Sequence, residues 1–199
     1  MSSRRRRTAE ESRAHILDVA ASRLREFGLE GLNITGVSGE AGISHATLIH
    51  HFGSSAGMRE ALANKMTSDL IQDLVGAIDA RVPASQLTRN VFSKLAEGGH
   101  AKLVAWRAVE ASDAGADDAP ERGQHREETQ ALFQNLLARL EDPLSVSNST
   151  EVRQVIFLVA IAGIGYGLAG NVMASLLNLS EEDLTAFPDW LTEHLQVKR

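Results

Sequence analysis

Apolar side chains recur every three or four residues near the start of the chain, and this spacing predicts an amphipathic helix. Thr8 and Glu11 stand in the positions of a capping box, in which each side chain accepts a hydrogen bond from the other residue's backbone N–H. Gly28 marks the end of the helix. The expected inward face consists of Ile16, Val19, Ala20, Leu24 and Phe27.

Residues 33–52 are periodic in two short pieces. Asn33 and Ser44 are residues typical of helix N-caps, and Gly42 between the pieces suits a left-handed turn. The pattern therefore predicts two short helices joined by a tight turn. The inward residues are expected to be Ile34, Val37 and Ala41 in the first helix and Leu48 and Phe52 in the second.

The rest of the chain is also periodic. Ser54 and Ser55 offer a cap for a helix that runs to about Ala80, which at 1.5 Å per residue is about 36 Å long, so a domain boundary is expected along it. Further helices are predicted at about 84–97, 100–113, 121–140, 149–178 and 181–196. The prolines expected between helices or in a first helical turn are Pro83, Pro120, Pro143 and Pro188. Since no hairpin pattern occurs, the predicted fold class is all-α.

Residues 155–179 carry no charge, and this length would qualify as a membrane span, with Gly163 and Gly167 at the GxxxG spacing. However, no aromatic belt or basic cluster flanks the segment, and it contains polar side chains. These are Asn171, Ser175 and Asn178. The pattern therefore favours a buried helix, at the centre of a soluble fold or of a dimer interface, over a membrane anchor.

The composition narrows the possible chemistry. The chain has 199 residues, 43% of them hydrophobic, and can bury a core. It has no cysteine, which excludes disulfides, iron–sulfur clusters and thiolate metal sites and agrees with a reducing compartment. The basic N-terminus is not followed by an apolar block, so no export signal is expected and the predicted location is cytoplasmic.

The charge is distributed unevenly. The net charge of −6 argues by itself against a nucleic-acid partner, but residues 1–52 hold seven arginines against six acids. The remaining residues hold thirteen bases against twenty acids. Four of the arginines are consecutive, namely Arg4, Arg5, Arg6 and Arg7. The simplest interpretation of such a run is a solvated tail.

Three histidines, His45, His50 and His51, lie close together. Two metal-binding histidines on one helix need a spacing of three or four residues to face the same way. Adjacent positions point about 100° apart, and a spacing of five also leaves the common face. Hydrolase, Walker and Rossmann signatures are absent as well. We therefore predict no metal site, no cofactor and no catalytic residue, and hence no enzyme.

The second short helix suits the major groove of DNA. Its outward side chains are short or flat, so its backbone can approach the base edges. These residues are His45, Ala46, Thr47, Ile49 and His50. Ser38 and Ala41 let the two short helices cross closely, as a helix-turn-helix requires. The alternative is an ordinary helical hairpin.

Residues 14–62 resemble the N-terminal domain of the tetracycline-repressor (TetR) family of bacterial transcriptional regulators. The spacing of apolar and small residues carries the resemblance, and Phe27 and Gly28 close the first helix as in the family pattern. The other matching residues are Leu24, Ile34, Val37, Ser38, Ala41, Gly42, Ile43, Ser44, Thr47, Leu48 and Phe52. The resemblance implies a three-helix DNA-binding domain.

The resemblance also implies a DNA-binding surface, whose expected members are Asn33, Thr35, Ser44, His45, Ala46, Thr47, Ile49, His50, Ser54 and Ser55. Two positions depart from the family pattern. Ile49 stands where the family usually has a phosphate-contacting tyrosine, and Ser55 stands where it usually has lysine. Because affinity depends strongly on phosphate contacts, the arm from Arg4 to Arg7 is a candidate substitute. His51 is expected to pack.

The domain organisation follows from the same resemblance. Residues 1–55 correspond to the DNA-binding domain, 56–82 to a connecting helix, and 83–199 to a C-terminal ligand-binding and dimerisation domain. The helices at 121–140 and 150–178 are the expected pair for a four-helix dimer seam. Close approach in this seam is expected at Ala160, Gly163, Gly167 and Ala174.

Polar and aromatic residues amid the apolar helices are the candidate ligand contacts: Met66, Phe92, His100, Trp106, Glu110, Phe133, Tyr166, Asn171 and Met173. Each of them also fits an ordinary core position. Glu110 is the most informative, since a buried carboxylate needs a partner.

These inferences predict a ligand-responsive transcriptional regulator that binds a palindromic operator in double-stranded DNA as a homodimer, with repression as the family expectation. The residues do not identify the small-molecule ligand or the operator sequence. Two alternatives remain: a helical small-molecule-binding protein with weakened or lost DNA binding, and a protein anchored in a membrane by residues 155–179.

Overall fold

The structure is a computed structural model that describes residues 8–113, 120–140 and 149–195. Within these ranges every regular element is helical, which confirms the all-α fold class. The α-helices are α1 (Ala9–Phe27), α2 (Ile34–Ala41), α3 (His45–Phe52), α4 (Ser55–Asp79), α5 (Ala84–Glu97), α6 (His100–Asp113), α7 (Pro120–Leu140), α8 (Ser149–Leu177) and α9 (Glu181–Leu195). A short 3₁₀ helix, Gly28–Gly31, follows α1.

Local capping signals begin and end the N-terminal helices as predicted. The Glu11 N–H donates to the Thr8 hydroxyl at 3.1 Å, and the Thr8 N–H donates to the Glu11 carboxylate at 2.8 Å. Asn33 and Ser44 cap α2 and α3 through their side-chain oxygens. Gly42 adopts the left-handed conformation (φ 67°, ψ 35°) between these helices. The predicted helix, tight turn and helix are therefore confirmed.

The prediction for Pro188 is wrong, because it lies in the middle of α9 and not in a first turn. Proline has no N–H, so the α-helical hydrogen bond to the Leu184 carbonyl cannot form. The Pro188 ring is buried, and the Thr192 hydroxyl donates to the Pro188 carbonyl at 2.8 Å. We attribute the tolerance of this proline to the burial of its ring. Pro143 lies outside the described residues.

The chain divides into two compact units, and the division falls inside α4 between Ala63 and Asn64. The buried apolar residues of the N-terminal unit are Ile16, Leu17, Ala20, Leu24, Leu32, Val37, Ala41, Leu48, Met58, Ala61, Leu62 and Ala63. Phe27 was predicted to face inward, but it is 51% exposed. The Arg23 side chain donates to the Gly31 carbonyl, and its guanidinium lies 5.0 Å above the Phe27 ring. A cationic side chain thus covers Phe27 where the prediction placed an apolar core.

In the C-terminal unit, α5 packs against α8 and α9, and α6 packs against α8. Two glycines of α8 make the closest approach. A Cβ added at Gly167 would lie 2.9 Å from the Ala96 Cα, and one at Gly163 would lie 2.7 Å from the Leu95 side chain. The predicted use of these glycines in a dimer seam is therefore wrong, because they face α5 of the same chain.

The other side of α8 is apolar and exposed. Its large exposed side chains are Phe157, Leu158, Ile161, Leu168, Val172, Met173, Leu176 and Leu177. Within the single chain, α8 is therefore not the buried central helix that its lack of charge suggested. The helix Thr150–Leu177 is long and apolar enough to cross a membrane, but one such helix is weak evidence for a span.

The close contact at Gly167 yields a stability prediction. Gly167→Ala should lower the free energy of unfolding by about 1 to 3 kcal/mol, because its methyl group would meet backbone atoms of α5. Gly76→Ala in α4 is the matched control, since a Cβ there meets no atom within 4 Å. It should be neutral or stabilise by up to about 1 kcal/mol. Urea unfolding followed by circular dichroism measures both. Equal stability of the two variants would contradict the packing described above.

Candidate DNA-binding and ligand-binding sites

The two short helices α2 and α3 are held together around a tight turn. The Ile43 N–H donates to the Ser38 carbonyl at 3.0 Å across the turn. Ser38 is buried, and its hydroxyl donates to the Thr35 carbonyl, so a small polar residue fits this crossing without an unpaired group. Leu48 of α3 is fully buried. This anchoring leaves the opposite side of α3 facing outward.

The outward side of α3 consists of His45, Ala46, Ile49 and His50, which are all exposed. Ile49 retains 37% of its surface, whereas the neighbouring Leu48 is fully buried. His51 is half-buried and contacts the rings of its neighbours His50 and Phe52 at 5.7 and 6.2 Å. His45 and His50 are thus exposed and His51 is half-buried, while a contact of the two exposed histidines with DNA stays a prediction.

Ser44 and Thr47 are engaged at the start of α3. The Thr47 N–H donates to the Ser44 hydroxyl at 3.1 Å, and the two hydroxyl oxygens lie 2.8 Å apart. Thr47 is half-buried. These two predicted DNA contacts therefore also serve to fix the first turn of α3.

Asn33 and Thr35 are exposed at the start of α2. The Asn33 side chain accepts from the Gly36 N–H and donates to the Glu30 carbonyl, both at 2.8 Å. The predicted arm, Arg4 to Arg7, lies outside the described residues.

Ser54 and Ser55, two predicted DNA contacts at the beginning of α4, differ in exposure. Ser54 is exposed, and its hydroxyl accepts from the Gly57 N–H at 2.9 Å. Ser55 turns inward instead, and its hydroxyl donates to the Leu32 carbonyl at 3.1 Å. Arg59 donates to the same carbonyl at 3.3 Å. Ser55 thus helps to join α4 to the start of α2.

The family comparison agrees with this geometry. Residues 16–62 match the profile of a family described as "Bacterial regulatory proteins, tetR family". The N-terminal unit is a TetR-family helix-turn-helix domain. The matched region ends in the first part of α4, so it contains α2, the Gly42 turn and the whole of α3.

Two solved structures are similar to almost the whole chain. A fatty acid degradation regulator from Bacillus halodurans is 14% identical with a TM-score of 0.59, over 94% of this chain and 98% of its own. A transcriptional regulator from Rhodococcus sp. Rha1 is 18% identical with a TM-score of 0.59, over 92% of this chain and 95% of its own. At such identities the likeness shows the fold alone. No curated protein matches the chain.

Among the predicted ligand contacts, Phe92 and Tyr166 lie together. Phe92 is buried in α5, and its ring centroid lies 5.3 Å from that of Tyr166 in α8. Phe187 of α9 contacts both rings, at 5.8 and 6.2 Å, and Trp190 stacks on Phe187 at 5.9 Å. Phe187 and Trp190 are not among the ligand contacts predicted from the sequence. Their spacing of three residues on one predicted helix was the available signal.

His100, the first residue of α6, is 3% exposed and forms a hydrogen bond of 3.0 Å with the Thr67 hydroxyl of α4. Burial, followed by the positive charge of Arg107, lowers the pKa of His100 to about 4. His100 is therefore neutral at physiological pH, and its hydrogen bond to Thr67 lies within the C-terminal unit.

The other predicted ligand contacts do not join this aromatic group. Glu110 is exposed, so the expectation of a buried carboxylate is wrong, because α6 turns this residue to the surface. Phe133, Asn171 and Met173 are exposed as well. Met66 and Trp106 are half-buried. The described residues contain no group of three metal-binding side chains.

The buried His100 predicts a pH-dependent stability. Its pKa is about 4 in the folded state and about 6.5 when unfolded, so the unfolded chain binds the proton first as the pH falls. Stability is therefore complete above pH 6.5 and decreases towards pH 4, by about 3 kcal/mol from this group. His100→Gln keeps a hydrogen-bonding side chain at this position but removes the group that takes up a proton. Urea unfolding at pH 7 and pH 4.5 should show a smaller loss for the variant, and equal losses would contradict the assignment.

Proposed function

We propose that this TetR-family transcriptional regulator binds a palindromic operator as a homodimer and releases it when a small molecule binds the C-terminal unit. The observation that carries the proposal is the outward face of α3 in a domain that matches the family. Anchored by Leu48 and open on its other side, α3 has the arrangement of a recognition helix. Repression remains a family expectation.

The chemistry of α3 suits DNA. The helix carries no acidic side chain that would repel phosphate, and its exposed residues are short or flat. A helix of this kind can enter a major groove about 12 Å wide. Residues 1–52 also lack the excess of negative charge that the remainder of the chain carries. These features favour DNA binding by the N-terminal unit.

The exposed face of α8 supports a dimer. Eight large apolar side chains are exposed along this helix, and monomeric soluble proteins rarely expose large contiguous apolar patches. A second copy of the same face would cover them. A two-fold symmetric homodimer also carries two symmetry-related recognition helices, as a palindromic site requires. The seam is therefore proposed on the large side chains of α8, while its glycines pack inside the chain.

A membrane anchor is less consistent with the neighbours of α8. The adjacent helix α5 carries Arg89 and Lys94, which form exposed ion pairs with Asp189 and Asp73 at 2.8 and 2.6 Å. Charged groups next to a spanning helix are costly in hydrocarbon. We therefore propose a cytoplasmic location.

The ligand is proposed to be largely apolar. The C-terminal unit brings together Phe92, Tyr166 and Phe187, and its buried His100 is neutral. α4 is continuous across the division between the two units, so a ligand-dependent shift of its C-terminal half has a covalent path to the N-terminal unit. The ligand then acts by its differential affinity for two conformations.

A second candidate function is a helical small-molecule-binding protein that no longer binds DNA. Ile49 in place of tyrosine and the inward-turned hydroxyl of Ser55 favour this alternative, because both remove expected phosphate contacts. In either case the fold neighbours are regulators, and we propose no enzymatic activity.

DNA binding is tested with duplexes from the region upstream of the gene. The wild-type protein should bind at least one of them with an affinity that falls steeply with salt. Ala46→Glu places a carboxylate on the outward face of α3 and should weaken this binding at least about tenfold, because it repels phosphate. Ala84→Glu, exposed at the first residue of α5, adds the same charge outside the DNA-binding domain and should have little effect.

Fluorescence anisotropy over a salt series measures both variants. If no duplex binds with a steep salt dependence, the small-molecule-binding alternative replaces the regulator.

The dimer seam is tested on two neighbouring exposed residues of α8. Leu168→Glu combined with Val172→Glu should convert the dimer to a monomer, because four carboxylates would meet across the two-fold axis. Val109→Glu is the matched control, since Val109 is equally exposed on α6, at 62% like Val172. Sedimentation equilibrium measures the mass of each. A wild-type monomer, or a double variant that stays dimeric, would contradict the seam.

A further inference from the structure

The recognition helix lacks the side chains that usually identify bases. Bidentate recognition of guanine uses arginine or lysine, and that of adenine uses asparagine or glutamine. The sequence of α3 from His45 to Phe52 contains none of these residues. Within α3, base contacts must therefore come from other groups on its outward face.

Two outward positions are apolar and adjacent. Ala46 and Ile49 lie one helical turn apart, so their side chains are neighbours on the surface. Ile49 is the large apolar residue of α3 that stays exposed, while Leu48 beside it is fully buried. Exposing an isoleucine to water is unfavourable in the free protein, and a partner with an apolar group would remove the cost.

The hydroxyls on this side already take part in the capping of α3, because Ser44 and Thr47 bond to each other and Ser44 accepts from the Thr47 N–H. The exposed imidazoles and the apolar pair are the other outward groups of α3. In the major groove, the apolar group that distinguishes one base from the others is the 5-methyl of thymine.

We propose that Ile49, with Ala46 beside it, contacts the 5-methyl group of a thymine in each operator half-site. The contact makes Ile49 a specificity-determining residue at the position where the family usually has a phosphate-contacting tyrosine. Ile49, which recognises a base, thus replaces a tyrosine that contacts the phosphate backbone of DNA. This inference rests on the proposed binding of DNA.

The experiment removes the 5-methyl group of thymine from the DNA and, separately, shortens the Ile49 side chain of the protein. In a duplex that the wild-type protein binds, each thymine is replaced singly by deoxyuridine, which keeps base pairing but lacks the 5-methyl. A single replacement at the contacted thymine should weaken binding about fourfold, the effect of leaving one methyl group unburied. In Ile49→Ala the same replacement should have no effect, whereas Ile49→Val should retain part of it.

Phe27→Ala is the control, because it truncates an exposed apolar residue of the same unit outside α3 and should preserve the deoxyuridine effect. If Ile49→Ala loses its helical circular dichroism, Ile49→Thr replaces it, since the branched shape is kept and a hydroxyl replaces the ethyl group.

The failure of this inference differs from failure of the proposed function. If the wild-type protein binds no duplex, the regulatory function itself is wrong. If it binds but no deoxyuridine replacement weakens the complex, the thymine contact is wrong. A deoxyuridine effect that persists unchanged in Ile49→Ala overturns the assignment to Ile49.

Discussion

The close approach of α8 to α5 at Gly163 and Gly167 determines how the C-terminal unit is built. With no side chain at these positions, the backbones meet almost directly, and α8 buries a narrow face against its own chain. The large apolar side chains lie on the opposite side of α8, because the side that contacts α5 has no room for them. The exposed face of α8 is thus a consequence of packing inside the chain.

The short helix α3 likewise has one buried side and one exposed side. Leu48 holds the helix in the N-terminal unit, and Gly42 with the buried Ser38 allows the turn that precedes it. Because one side is committed to the core, the other side is fixed in direction before any DNA is present. Preorganisation of this kind lowers the entropy that binding must overcome.

Polar groups inside the two units are used to join helices. His100 bonds to Thr67 between α6 and α4, and Ser55 bonds to the carbonyl of Leu32 between α4 and the segment before α2. These buried and half-buried polar groups find their hydrogen-bond partners within the fold, so each residue has a structural role. Predicted ligand or DNA contacts at these positions therefore compete with a structural role.

The sequence alone determined the helix ends, the caps at Thr8, Asn33 and Ser44, and the helix-turn-helix, because these signals act within four residues of each other. Tertiary structure decided which way each face turns. Along residues 155–179 no charge marks an outer face, so periodicity could not tell the glycine side of α8 from its exposed side. For a related reason the sequence did not indicate that Phe27 and Glu110 are exposed or that Ser55 bonds to the Leu32 carbonyl. Exposure and hydrogen-bond partners depend on segments distant in sequence.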